Sequence, residues 1–222
     1  AALKDDGSVI TWGGEGWNKG GDSSSVADEL SSGVSQIFSS QEAFAALKDD
    51  GSVITWGYWD YGGDSDSVIN DISSGVSQVF STDFAFAALK DDGSVITWGE
   101  EFSGGDSSSV ANELSSGVTQ INGGRYAFAA LKDDGSVLTW GDSSSGGDSS
   151  SVADELSSGV AQIVNTPFAF AAVKDDGSVL TWGHESSYRV DISSVADELS
   201  SGVSQIFTGG FAFAALKDNG SV

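Results

Sequence analysis

The chain's one histidine, His184, stands beside Glu185 in a sequence rich in serine. On paper those three residue types can make a proton relay onto a hydroxyl nucleophile. A relay needs one serine held in a unique place, and no Gly-x-Ser-x-Gly elbow or other frame singles one out. No catalytic residue is therefore assigned, and the chain is read as not an enzyme. Carboxylates offer a second chemistry. The segments "KDDG", "GGDS" and "ADEL" recur along the chain, and Asp64-Ser65-Asp66 adds an Asp-x-Asp pair, so hard oxygen ligands for calcium are abundant. Neither the EF-hand spacing nor the "GGxGxD" of calcium-binding β-rolls is present. Turn formation by Asp92 and its equivalents, helix capping by Asp22 and its equivalents, and a solvated acidic face account for the same residues. No metal ligand set is assigned, and calcium is kept as the one cofactor the composition permits.

A third chemistry is recognition. Aromatic and cationic side chains that supply contact energy at interfaces sit where the sequence varies: Trp17 and Lys19; Tyr58, Trp59 and Tyr61; Phe102; Arg125 and Tyr126; His184, Tyr188 and Arg189. These are the candidate binding residues. They vary against a fixed background, because the string "AALKDDGSVITWG" starts at Ala1, Ala45 and Ala87 and returns with small changes at Ala129, Ala171 and Ala214. The chain is thus divided into repeats 1–44, 45–86, 87–128, 129–170 and 171–213, with a partial sixth at 214–222, all in one repeat domain. Two stretches per repeat carry nearly all the variation, one between "TWG" and "GGD" and one after "SQIF". Loops on a rigid frame commonly carry recognition, although loops also drift without consequence.

The frame itself reads as β-structure. "AFAALK" and "SVITWG" are short runs of small, β-branched and aromatic residues, and the intervening "DDGS" suits a two-residue turn with positive φ, which predicts a hairpin. "GVSQIF" is expected to be a third strand with Val, Gln and Phe on one face and Ser and Ile on the other. "GGDSSSVADELSSG" fits either a single helical turn or a short edge strand. Ala85, Ala87 and Leu89 point to one side of the hairpin, Phe86 and Ala88 to the other, so both faces are expected to pack against neighbouring sheets. Trp12, Trp56, Trp98, Trp140 and Trp182 recur beside Gly and are read as structural, in the core or between sheets. The repeated lysines next to acidic turns are read as surface ion pairs. The expected fold is all-β: a β-propeller of about five 42–44-residue repeats, either a closed five-bladed ring or a window of a larger ring or array.

"GVSQIFSTDFAFAALKDDGSVITWG" (Gly75 to Gly99) resembles the repeat of the regulator of chromosome condensation family, in which a Val/Ile strand runs through a Gly-rich turn into "ALxxDGxVxxWG". The resemblance extends over all five repeats. It implies a β-propeller, typically of seven blades, with sequence repeats offset from the blades. Ala85-Phe86 stands where the family usually has His-Ser, and "GGDSSS" replaces its "GQLG". Nothing here matches the surfaces by which the eukaryotic nucleotide-exchange member acts on its GTPase, so that activity is not carried over. The resemblance also covers secreted bacterial members whose propellers bind another protein.

Charge narrows the partners. With 33 acidic and 9 basic side chains, the net charge of −24 repels nucleic acid and anionic membranes. There is no Cys for disulfide or thiolate chemistry, and no apolar run long enough for membrane insertion. There is no Met either, so Ala1 is read as other than a translation start and the chain as a window of a longer array. The function expected from these features is a non-enzymatic binding or adhesion module of a larger protein, extracellular or at the surface of a bacterial cell. Its expected partner is a protein or a surface glycan. The alternative is a structural subunit of a fibre or surface layer, self-associating through strand pairing at the chain's ends.

Overall fold

Every "AFAALK" and "VITWG" run between residues 43 and 183 forms a strand, and each pair is joined antiparallel across its "KDDGS" turn. These features belong to a computed structural model, which describes residues 1–14, 20–183 and 192–222 and divides into two compact units, Ala1–Ser116 and Gly117–Val222. In the first unit β1 (Ala2–Leu3) and β2 (Val9–Ile10) make a small hairpin. Two three-stranded sheets follow: β3 (Val34–Ser39), β4 (Ala43–Lys48) and β5 (Val53–Gly57), then β6 (Val76–Ser81), β7 (Ala85–Lys90) and β8 (Val95–Gly99). The second unit holds β9 (Val118–Gly123), β10 (Ala127–Lys132) and β11 (Val137–Gly141), then β12 (Val160–Asn165), β13 (Ala169–Lys174) and β14 (Val179–Gly183), and finally a pair, β15 (Val203–Thr208) with β16 (Phe213–Lys217).

Both faces of the central strands are covered. In the first unit Ala43, Ala45 and Leu47 of β4 pack against Val79 of β6, Phe86 and Ala88 of β7 and Trp98 of β8. The opposite face of the β3–β5 sheet carries Ala46 and Trp56 against Leu30. In the second unit Ala127, Ala129 and Leu131 likewise meet Ile163, Phe170 and Trp182. Alanine at these positions lets neighbouring sheets come close, and the large rings of the next repeat fill the space. The "SSV" and "ELS" segments, left open between helical turn and edge strand, are single 3-10 turns such as Ser108–Val110 and Glu113–Ser115, and the second buries Leu114. The Asp106 carboxylate starts the first of these by accepting the Ser108 N–H at 2.8 Å.

Three local expectations are corrected. The hairpin turn is longer than two residues. Gly51 N–H donates to Lys48 O and Lys48 N–H donates to Ser52 O, with Gly51 at φ +77°, which is a three-residue loop closed by a glycine bulge. Asp50 stabilises it by accepting both the Ser52 hydroxyl at 2.6 Å and its N–H at 3.0 Å, and these bonds hold the Asp50 carboxyl below the usual carboxylate range. At Asp6 the same pair of bonds from Ser8, helped by Lys4, lowers the pKa to about 2.

The "SQIF" strand does not alternate strictly. Val76 pairs with Lys90 and Gln78 with Leu89, so Ser77 is the extra residue of a β-bulge. Val76 and Val79 are thereby both buried, while Ser77 and Gln78 face solvent and the Ser77 hydroxyl donates to Leu89 O. The turn lysines, finally, clamp backbone rather than pairing with acids: Lys48, Lys90, Lys174 and Lys217 donate to the carbonyls of Glu29, Asp71, Glu155 and Glu198 at 2.6–2.9 Å. Lys4 instead lies 3.3 Å from Asp6.

Consecutive repeats are tied by backbone. Gly51 O accepts the Val76 N–H at 3.0 Å, and a Cβ on Gly51 would stand 2.9 Å from Gly75 N. The glycine is required twice, for its positive φ and for this close approach.

Candidate functional site

The two variable stretches of sequence come together at one end of each sheet. After β5 the chain turns through Tyr58 into a 3-10 turn, Trp59–Tyr61, which stops at Gly62 with φ +89°. Equivalent turns follow β8 (Glu101–Ser103) and β11 (Ser143–Ser145). Each is tied by its first N–H to a carbonyl of the second variable stretch: Tyr58 to Glu42, Glu100 to Phe84, Asp142 to Tyr126, at 2.9–3.0 Å. Side-chain hydroxyls add a second tie where they are available, Ser40 to Tyr61 O and Thr82 to Ser103 O. The loop positions are therefore fixed mainly by main-chain bonds, whatever side chains they carry.

In the first unit the result is a contiguous aromatic group. Tyr58 lies 5.9 Å from Trp59 and 4.8 Å from Tyr61, and Tyr61 meets Phe84 edge-on at 4.6 Å. Trp59 is 57% exposed and Phe102 74% exposed. The Tyr61 hydroxyl is pushed above its usual pKa by burial first, then by the charges of Glu42, Asp60 and Glu100 around it. In the second unit Arg125 lies over the Tyr126 ring at 5.1 Å and the Phe168 ring at 5.6 Å, and Phe168 stacks on Phe211 at 6.1 Å.

The structure thus brings together Tyr58, Trp59 and Tyr61 in one unit and Arg125 with Tyr126 in the other. Trp17, Lys19, His184, Tyr188 and Arg189 lie outside the described residues. Phe84, Phe168 and Phe211 belong to the same surfaces but were absent from the sequence-derived candidates. Their signal was present: an aromatic stands immediately before each "AF" strand except at Glu42.

The recurrent tryptophans are held differently. Trp56, Trp98, Trp140 and Trp182 are buried and stack on Phe44, Phe86, Phe128 and Phe170 at 5.2–5.5 Å. The indole N–H of Trp56, Trp98 and Trp182 donates to Gly20, Gly62 and Gly146 carbonyls at 2.9–3.1 Å. Trp12 is a correction to the expected core role: it is 65% exposed. Among the described residues no group of three or more His, Asp or Glu side chains is placed to hold a metal, and the turn aspartates are engaged with serines.

A family model, the regulator of chromosome condensation (RCC1) repeat, matches residues 118–146, which span β9 to β11 and the loop beyond. The matched segment is similar to an RCC1 repeat, and the other repeats share its sequence pattern. None of the curated proteins compared matches the chain in sequence. Among solved structures, yeast RCC1 (Prp20) bound to Kap60 is similar over 86% of this chain and 55% of its own, at 16% identity and a TM-score of 0.52. Human WBSCR16 is similar over 84% of this chain and 60% of its own, at 21% identity and a TM-score of 0.52. The ectodomain of the Physcomitrella patens receptor kinase CR4 is similar over 85% of this chain and 48% of its own, at 18% identity and a TM-score of 0.51. The chain therefore spans about half the length of these neighbours. At such identities the likeness concerns the fold: all-β, repeated three-stranded sheets that resemble the blades of RCC1 β-propellers. Among the described residues no helix is long and apolar enough to cross a membrane.

Proposed function

We propose that this chain is a protein-binding module whose RCC1-type sheets present the paired variable loops to a partner, as part of a larger extracellular repeat protein. The observation that carries the reading is the main-chain anchoring of those loops, which leaves Tyr58, Trp59, Tyr61, Arg125 and Tyr126 free to vary without disturbing the sheets. Two neighbours support it, a yeast RCC1 seen in complex with Kap60 and a receptor-kinase ectodomain. On this reading the variable loops bind and the sheets do not.

Loop exchange tests it. A displayed library of small folded binders is selected on the immobilised chain. The selected clones are then measured against a variant in which Tyr58–Tyr61 is replaced by Asp-Ser-Ser-Ser, the sequence found at 142–145. A loss of about tenfold or more for a large share of the clones is expected, since interface aromatics commonly contribute that much. Clones indifferent to this exchange, and to the matching exchange at Arg125-Tyr126, refute loop-mediated recognition.

A further inference from the structure

One turn of the repeat differs from its siblings in a single atom type. Asn219-Gly220 stands where Asp6, Asp50, Asp92, Asp134 and Asp176 precede their glycines, and the position is exposed in every copy. The turn after β16 closes as the others do, with Gly220 N–H donating to Lys217 O at 2.8 Å and Lys217 N–H to Ser221 O at 2.9 Å. Asn219 Oδ1 accepts the Ser221 N–H at 3.0 Å and the Ser221 hydroxyl at 2.8 Å, the two bonds that the aspartates accept from their own serines. Its Nδ2 has no hydrogen-bond partner among the described residues.

The reactive atoms here are the side-chain carbonyl carbon and the main-chain nitrogen of the next residue, which glycine shields least because it has no Cβ. An amide can be attacked as it stands, whereas a carboxyl group must first be protonated. The serine bonds keep the aspartates ionised and so protect them. At Asn219 the same two donors face the oxygen on which negative charge develops during attack. The sequence has one other Asn-Gly pair, Asn122-Gly123, and the fold treats it in the opposite way. Asn122 is half-buried within β9, where its Oδ1 accepts Gln120 Nε2 at 2.7 Å and its Nδ2 donates to Asn165 Oδ1 at 3.1 Å. Asn165 Nδ2 also donates to Gly123 O at 2.8 Å, so the peptide that would have to turn is tied to β12. At Asn219 only the bond from Gly220 N–H to Lys217 O has to open, at an exposed turn tip where local opening costs little.

We propose that Asn219-Gly220 is a site of spontaneous covalent modification, at which the asparagine amide is converted to aspartate and isoaspartate while Asn122 keeps its amide. The Gly220 nitrogen gives its proton to solvent and bonds to Asn219 Cγ, the Cγ–Nδ2 bond breaks, and Nδ2 leaves as ammonia. Water then opens the cyclic imide. Breaking the bond between Gly220 N and Cγ gives aspartate, and breaking the bond between Gly220 N and the Asn219 main-chain carbonyl carbon gives isoaspartate. The aspartate product restores the "KDDGS" turn of the other repeats, with a carboxylate oxygen to accept both Ser221 bonds. The isoaspartate product lengthens the main chain by a methylene, which takes the Gly220 N–H out of register with Lys217 O.

The chain is incubated at mildly alkaline pH, folded and in concentrated urea, then digested at mildly acidic pH and mapped by mass spectrometry, with isoaspartyl methyltransferase labelling to measure isoaspartate. In the folded chain Asn219 is expected to convert about tenfold or more faster than Asn122, and in urea the two are expected to convert within about threefold of each other. An Asn219→Asp variant, which keeps the turn but replaces the amide, is expected to gain isoaspartate at that position at least about fivefold more slowly. Asn219 that survives in the folded chain as long as Asn122 overturns the proposal. Asn122 that stays slow in urea also overturns it, because sequence and not the ties of β9 would then account for the difference. Labelling of the Asn219→Asp variant as fast as the parent overturns the assignment of the amide as the reactive group.

Discussion

Replacing Trp98 with alanine and Trp12 with alanine removes the same side chain from the same place in two repeats, and the consequences are expected to differ sharply. Trp98 is 3% exposed, stacks on the fully buried Phe86 at 5.4 Å, and donates its indole N–H to Gly62 O at 3.1 Å. Truncating such a ring leaves a cavity and an unpaired carbonyl, and costs about 3–5 kcal/mol. Trp12 is 65% exposed, so it removes only about a third of a side chain's surface from water. At ~25 cal/mol per Å2 and ~200 Å2 for the whole side chain, its loss costs less than about 2 kcal/mol, an upper bound because the unfolded chain already buries part of that surface. Urea unfolding followed by far-UV circular dichroism measures both without relying on tryptophan emission. Trp98→Phe is the control that keeps a ring and deletes only the donor, and is expected to fall between the two alanine variants. A Trp12→Ala loss equal to that of Trp98→Ala, or a Trp98→Ala loss below about 1 kcal/mol, contradicts the packing argument.

Two further predictions concern the turns. Gly51→Ala combines positive φ with a contact 2.9 Å from Gly75 N, so it is expected to destabilise by about 2 kcal/mol or more, with hydrogen exchange of the Val76 amide rising above that of other β6 amides; an unchanged Val76 amide refutes the tie between repeats. The second prediction is a pH dependence. The turn aspartates Asp6, Asp50, Asp92, Asp134 and Asp176 have depressed pKa values, Asp6 at about 2, so their contribution is complete above the ordinary carboxylate range and is lost as pH falls through the depressed values. Asparagine at the four positions Asp50, Asp92, Asp134 and Asp176 should flatten the stability curve below about pH 4, since Asn219 already makes the same two bonds to Ser221 without a charge. Thermal melts across that range measure it, and a slope as steep as the parent's counts against the turns as its source.

Much of the frame was legible because repetition multiplies each weak signal. Five copies of "AFAALK" and "VITWG" set the hairpins, and apolar residues at both odd and even positions announced that both faces are covered. The bulge at Ser77 was hidden, since one extra residue reverses the phase of a two-residue period and no side chain marks the place; Ala161 occupies it in β12 without a hydroxyl. The destination of the lysines was hidden as well, because a carbonyl on another segment has no letter in the sequence. Difference between repeats drew attention to Tyr58, Trp59, Tyr61, Arg125 and Tyr126. Phe84, Phe168 and Phe211 were not among the candidates, although they lie beside the varying residues. Trp12 was misjudged because identical letters were taken to imply identical burial, and it is 65% exposed.

The manner in which the loops are held explains how constancy and variation coexist in one repeat. The turn after β5 rests on three main-chain bonds, Tyr58 N–H to Glu42 O, Tyr61 N–H to Tyr58 O and Gly63 N–H to Tyr58 O. The turn after β11 repeats them with Asp142, Ser145 and Gly147, at lengths that agree within about 0.1 Å, yet shares no residue with the first until the Gly-Gly-Asp that follows. Four side chains can thus change from Tyr-Trp-Asp-Tyr to Asp-Ser-Ser-Ser with the backbone path preserved. What changes is the surface offered: an aromatic group margined by carboxylates in one place, small hydroxyls in the other. Had the loops been positioned by side-chain packing, each new sequence would have needed a compensating change in the sheets. The sheets instead carry the same Phe–Trp stack and the same glycine tie, so change in the loops is decoupled from folding of the sheets.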